Sequence, residues 1–179
     1  MTSRGSVASR DKGRHGHLRG LYTAVVTSGA AGRFELGTDG PKVILVGVDG
    51  STTSLRASSY AAGLARRQGA QVVAVYVGPV ATAAVAAGGA PVLAAAAEAF
   101  DEAADDLRRR ADQAAKELGI AVTFVATRGD PFSELHRVAD ETRADAIVVG
   151  ASAKAGHRLV GSLAVRLVRA GRWPVTVVP

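Results

Sequence analysis

Two short stretches hold the side chains that could do chemistry. Asp49-Gly50-Ser51 follows the apolar run Val43–Val48, and Gly150-Ala151-Ser152 follows Ala146–Val149. A carboxylate placed directly after a strand can accept from a ribose hydroxyl or hold the metal that accompanies a polyphosphate. In an Asp-Gly turn it serves equally well as a cap for the next helix. After Gly150 comes a Gly/Ala-rich loop with three potential cations, Lys154, His157 and Arg158, around Gly156, and Gly161-Ser162 then opens a helix. Free N–H groups and a hydroxyl at a helix start suit an anion, although Ser is also an ordinary N-cap. A solvated basic loop would have the same composition as a phosphate-binding one. Gly156-x4-Gly161-Ser162 is a degraded Walker A pattern, without the Lys before Ser and after the wrong strand.

Signals for turnover are weaker than signals for binding. His15 and His17 lie near the start of the chain, and His136 falls within a helical pattern. No nucleophile elbow, metal-ligand cluster or dinucleotide glycine fingerprint accompanies them. The chain has no Cys, which excludes disulfides, thiolate zinc sites and a Cys nucleophile.

The elements that must position these residues follow from hydrophobic periodicity. Val43–Val48 is a continuous apolar strand of the kind covered on both faces. Ser51 or Thr52 caps a helix with Ala57, Tyr60, Ala61, Leu64 and Ala65 on one side, and Gly69 stops it. Gln71–Val77 is a second buried strand. Residues 78–92, rich in Gly, Pro and Ala, are expected to form a flexible crossover. From Leu93 to Leu118 apolar residues recur at alternating three- and four-residue steps, which predicts a long amphipathic helix ending at Gly119. Ile120–Thr127 is a third strand. Gly129-Asp130-Pro131 caps a helix whose Phe132, Leu135, Val138 and Ala139 face inward. Ala146–Val149 is a fourth strand, Ser162 caps a short helix, and Trp173–Val178 is a fifth strand. Pro174 inside that strand marks it as an edge.

Alternating strands and helices with right-handed crossovers predict a doubly wound α/β domain. It has a single five-stranded parallel sheet, order 3-2-1-4-5, with helices on both faces. Strands one and four are then neighbours at the switch point, and a ligand belongs between their carboxyl ends. Asp49 and Gly150 stand at those ends.

Composition bounds the partners. Asp39-Gly40-Pro41 separates a basic extension, residues 1–40, from the regular body, residues 41–179. Residues 1–20 have almost nothing to bury and are expected to be disordered. Residues 21–26 could make a short strand, and residues 34–36 could dock on a surface. The net charge of +6 divides evenly between extension and body, so the body is only weakly basic. Aromatics make up 4% of the chain, too few for a base-stacking surface, and a nucleic-acid partner is not expected. A basic arm at residues 1–20 is the competing idea. No apolar run approaches the ~20 residues of a membrane span, and no signal-peptide core follows the basic start. A cytoplasmic protein with no membrane partner is expected.

Residues 42–179 resemble the universal stress protein family. The resemblance rests on Val46-Gly47-Val48-Asp49-Gly50-Ser51, Gly129-Asp130-Pro131, Val148-Val149-Gly150-Ala151-Ser152, Gly161-Ser162-Leu163-Ala164 and Trp173-Pro174-Val175-Thr176-Val177-Val178. It implies the same 3-2-1-4-5 sheet, of the adenine nucleotide alpha hydrolase-like kind, and a homodimer formed through the edge strand Trp173–Val178. One branch of the family binds ATP through a G-x2-G-x9-G-[ST] loop, with an early Asp and a backbone contact at the end of strand two. Gly150 matches the first glycine, Gly161-Ser162 the last pair, Asp49 the Asp, and Val77 the backbone contact. Ala153 replaces the second glycine, and seven residues rather than nine separate it from Gly161. If that position needs a left-handed backbone, Ala costs ~1–2 kcal/mol, or about tenfold in affinity. Gly156 could substitute in the shortened loop, and Lys154, His157 and Arg158 could offset the loss.

The resemblance thus implies ATP as ligand with Mg2+ beside it, Asp49 being the residue that would face the metal. The implied function is stress-response binding through nucleotide-dependent conformation or partners, without catalysis, although slow ATP hydrolysis stays open. The alternative is a dimeric family member with no nucleotide, acting as an interaction module.

Overall fold

Continuous Val/Ile/Leu runs form strands here because both faces of the sheet are covered. The computed structural model describes residues 40–80, 82–151 and 162–179, with the backbone alone for residues 82–88. The basic extension, with the segments expected at 21–26 and 34–36, lies outside the described residues. Among the described residues nine elements alternate: β1 Val43–Val48, α1 Thr52–Gln68, β2 Gln71–Gly78, α2 Thr82–Leu118, β3 Val122–Arg128, α3 Pro131–Glu141, β4 Ala146–Gly150, α4 Ser162–Ala170 and β5 Val175–Val178. The five strands pair in parallel in the order β3-β2-β1-β4-β5.

Because side chains alternate along a strand, each strand serves two cores. Leu45, Val73, Val75, Ile147 and Val149 pack against Leu135, Val138 and Ala139 of α3 and Ala164 and Leu167 of α4. On the other face Ile44, Val46, Val72, Ala74 and Val148 meet Ala57, Ala61 and Ala65 of α1. Among the described residues no helix is long and apolar enough to cross a membrane.

The structure departs from the sequence expectations at three places. Residues 78–92 are not a loose crossover: β2 runs through Gly78 and α2 begins at Thr82. Alanine is the strongest helix former, so the low-complexity run becomes helix. The break is confined to Gly89, at φ 67° and ψ −157°. Pro91 stands just after that break, where its missing N–H has no intrahelical acceptor to lose. The third strand starts at Val122 instead of Ile120, because the Ile120 N–H still bonds the Ala115 carbonyl at 3.2 Å and closes the end of α2. The fifth strand starts at Val175, after Pro174 instead of through it. Pro174 has no N–H for a ladder, but its carbonyl accepts from the Ile147 N–H at 2.9 Å and leads the chain into register. The described part of α4 begins at Ser162, and the residues before it, on which the expected cap depends, lie outside the described residues.

Candidate functional site

The carboxyl edge of the sheet splits between β1 and β4. β1 stays paired with β2 along its whole length, from Val43 with Gln71 to Val48 with Tyr76. Its pairing with β4 ends at Val46 with Val148. β4 continues with β5 as far as Gly150 with Val178. Gly47-Val48 therefore follows one half of the sheet while Val149-Gly150 follows the other. β2 also overruns β1. Val77 and Gly78 pair with Thr127 and Arg128 of β3, leaving their β1 side without a strand partner. Val77, the expected backbone contact, lies at this rim, and its side chain packs toward the α3/α4 core.

The first turn of α1 sits over the split. The Ser51 hydroxyl accepts from the Ser54 N–H at 3.2 Å, which caps the helix. The Ser54 hydroxyl donates to the Ser51 carbonyl at 3.0 Å and accepts from the Asp49 N–H at 3.3 Å. Ser54 is the buried polar side chain among the described residues, and these bonds satisfy it. The helix lies so close to β4 that a Cβ on Gly150 would fall 2.6 Å from the Thr53 carbonyl carbon and 2.7 Å from the Ser54 nitrogen. Gly150 is glycine because backbone passes over it. The amides of Thr52 and Thr53, the first two helical positions, have no acceptor within the helix and are further donors at this edge. Their identity as Thr carries no signal in the sequence, since the donors are backbone.

Asp49 and Gly50 complete the turn. Asp49 Oδ1 accepts from the Ser51 N–H at 2.9 Å. The Ser51 and Ser54 hydroxyls lie against the same carboxylate. Partial desolvation pushes the Asp49 carboxyl up, but hydrogen bonds from the Ser51 side chain and amide and from Ser54 outweigh it. The group sits below its ordinary 3.8. Asp49 is thus an anion at neutral pH, fit to accept a hydroxyl or face a cation and unfit as a general acid. Gly50 takes φ +79°, and no atom lies within 4 Å of where a Cβ would stand. The left-handed turn is open on its outer side.

α4, which carries Ser162, is fixed by a contact with no sequence signal beyond residue type. Arg166 forks onto Asp130, Nη1 to Oδ1 at 2.9 Å and Nη2 to Oδ2 at 3.0 Å. It also lies 4.4 Å from the Phe132 ring centre. Asp130 simultaneously caps α3 by accepting from the Ser133 N–H at 3.0 Å and hydroxyl at 2.9 Å. Arg166 first, then Ser133, hold the Asp130 carboxyl down at about 2. Beside Val77, Tyr76 stacks on Phe100 with ring centres 5.3 Å apart, and Arg128 lies 4.1 Å from the Phe100 centre. The Phe100 ring closes over Gly78 at the rim.

Asp49, Gly50, Ser51, Gly150 and Ala151 thus gather around the first turn of α1, with Val77 and Ser162 on the same edge of the sheet. Ser152, Lys154, Gly156, His157, Arg158 and Gly161 lie outside the described residues. Among the described residues no group of three His, Cys, Asp or Glu side chains could hold a metal.

Comparison with known proteins points one way. A model of the universal stress protein family matches residues 41–179. A universal stress protein of Methanocaldococcus jannaschii is 31% identical over 140 residues, covering 76% of this chain and 81% of that one. The crystal structure of a universal stress family protein from Burkholderia pseudomallei is 30% identical with a TM-score of 0.58, covering 77% of this chain and 96% of that one. A universal stress protein solved in complex with cAMP is 26% identical, with a TM-score of 0.53 and coverage of 77% and 96%.

Proposed function

This chain belongs to the universal stress protein family, and from that premise we propose that it binds an adenine nucleotide at the split between β1 and β4 and acts through nucleotide-dependent conformation or partners. The proposed ligand is ATP with Mg2+. The observation that carries the proposal is the split itself: β1 and β4 separate beyond Val46 and Val148 at the switch point of a doubly wound sheet. A relative of the same fold solved with cAMP supports the choice of an adenine nucleotide.

In the proposed complex the polyphosphate lies against backbone donors and carries the negative charge that any Mg2+ beside it would screen. Gly50-Ser51 and the start of α4 at Ser162 offer those donors, joined by Gly150-Ala151-Ser152, Gly156 and Gly161. Lys154, His157 and Arg158 supply positive charge. The Asp49 carboxylate accepts from ribose or faces the metal. The Val77 backbone, on the open side of β2, meets the base beside the Tyr76–Phe100 stack. The role is binding and signalling without turnover. A second copy of the chain adds along the outer edge of β5.

Titrating ATP and Mg2+ into 15N-labelled full-length protein tests the site. The amides of Gly50, Ser51, Val77 and Ser162 should shift in a saturable manner, and those of Gly69 and Gly119 at the opposite edge should stay in place. Saturable shifts confined to the opposite edge would overturn the assignment. A second reading, a dimeric interaction module with no nucleotide, is favoured by one observation. The packing of α1 already accounts for Gly150, and the turn already occupies one oxygen of Asp49. Under that reading ATP leaves every amide in place while sedimentation still reports a dimer.

A further inference from the structure

The two faces of the sheet are closed unequally. α1 and α2 face each other across short side chains, Ala62 and Gly63 on one helix and Ala111 and Ala114 on the other, and these do not fill the space between them. What remains is a cleft of about 450 Å³ with a floor of Val46, Val72, Val122 and Phe124. That volume falls in the range of small-molecule sites, ~300–1,000 Å³. Leu55 and Leu118, both partly exposed, line it as well. The cleft runs along the α1/α2 face: Val48 and Leu55 put one end near the turn that holds Asp49, and Arg66 and Leu118 line it farther along.

Its charge is one-sided. Among its eighteen lining residues the charged side chains are Arg66 and Arg110, and no carboxylate joins them. Arg110 is paired with Asp106 at 2.8 Å. No carboxylate among the described residues pairs with Arg66, which stands in the last turn of α1. From Leu55 to Arg66 the helical wall runs about 16 Å. An apolar trough of that length with an uncommitted guanidinium at one end matches an amphipathic anion. The tail lies along the valines and Phe124, and the head meets Arg66.

We propose that the cleft between α1 and α2 is a second binding site, on the α1/α2 face of the sheet, that takes a medium-length acyl chain with a carboxylate head. Tail burial supplies the affinity, and Arg66, through a charge-assisted bond, selects the head.

The test is calorimetric titration of full-length protein with dodecanoate, below its micelle concentration, and with dodecyltrimethylammonium as the charge-reversed probe. Dodecanoate should bind one to one, and the cationic probe at least tenfold more weakly. R66Q, an exposed substitution, should weaken dodecanoate about tenfold and leave the cationic probe unchanged. Ala111→Phe should fill the trough and remove binding of both. If that variant does not fold, the head-group reversal and R66Q still decide the matter. Non-saturable uptake, equal affinity for both heads, or an unchanged affinity in R66Q would overturn the proposal.

Discussion

The turn after β1 and the turn after β3 use similar residues, an Asp beside a Gly at the carboxyl edge with a capped helix following, and they end in opposite states. After β3, Asp130 is saturated. It caps α3, accepts from the Ser133 hydroxyl and takes the Arg166 fork, and its carboxyl is held at about 2. After β1, the capping duty falls to Ser51, and Asp49 accepts from the turn's own Ser51 N–H with no arginine fork upon it. Gly50 beside it faces open space. One turn is a clamp that fixes α4 against α3. The other is an anion held rigid beside a gap in the sheet, as a binding group must be. The shift of the cap by one residue, from Asp to Ser, separates structure from candidate function.

Substitutions can break this contrast, and the largest effect belongs to the site whose neighbour is backbone. Gly150→Ala forces a Cβ onto Thr53 and Ser54 and should cost ~2–3 kcal/mol in denaturant unfolding, with α1 displaced from the split. Asp49→Asn keeps an oxygen for the Ser51 N–H and should melt almost as the parent does. Its affinity for ATP with Mg2+ should fall about tenfold by calorimetry, the scale of one charge-assisted contact. An equal loss of stability would make Asp49 a second clamp.

Arg166→Ala probes the clamp through pH. The Asp130 carboxyl is depressed in the folded chain, so its contribution to stability is full above its ordinary 3.8 and is lost as pH falls toward about 2. A carboxyl titration followed by NMR should place Asp130 near 2 in the parent and closer to 3.8 in Arg166→Ala, with acid unfolding less steep across that window. Gly47→Ala should do least. Its Cβ would meet Leu135 and Val149 at 3.5 Å, an ordinary contact, and stability should stay within about 0.5 kcal/mol.

What the sequence made legible is what period and topology control. Alternating apolar runs and helical patterns placed all five strands, and right-handed crossovers then fixed β1 beside β4. Short-range chemistry was legible as well: Asp130-Pro131 announces its own cap. The misreadings come from competition between local signals. In residues 78–92 Gly and Pro suggested a break, yet the alanines between them carried the helix and left one kink at Gly89. The long-range facts were not legible. Gly150 looked like a loop glycine suited to a ligand, and nothing local says that Thr53 and Ser54 lie against it. Arg166 reads as one more exposed helical cation until the fold brings it to Asp130, 36 residues away. The cleft between α1 and α2 is likewise a property of two alanine-rich faces that look well packed when each helix is read alone.

The central claim is that the split between β1 and β4 holds an adenine nucleotide. The most direct test is calorimetric titration of ATP with Mg2+ into full-length protein, after extraction of any nucleotide carried from expression. Micromolar, one-to-one binding that weakens in Asp49→Asn is the expected result. An absence of heat at millimolar ATP, in protein shown to carry no nucleotide, would contradict the claim and leave Asp49 as a turn residue alone.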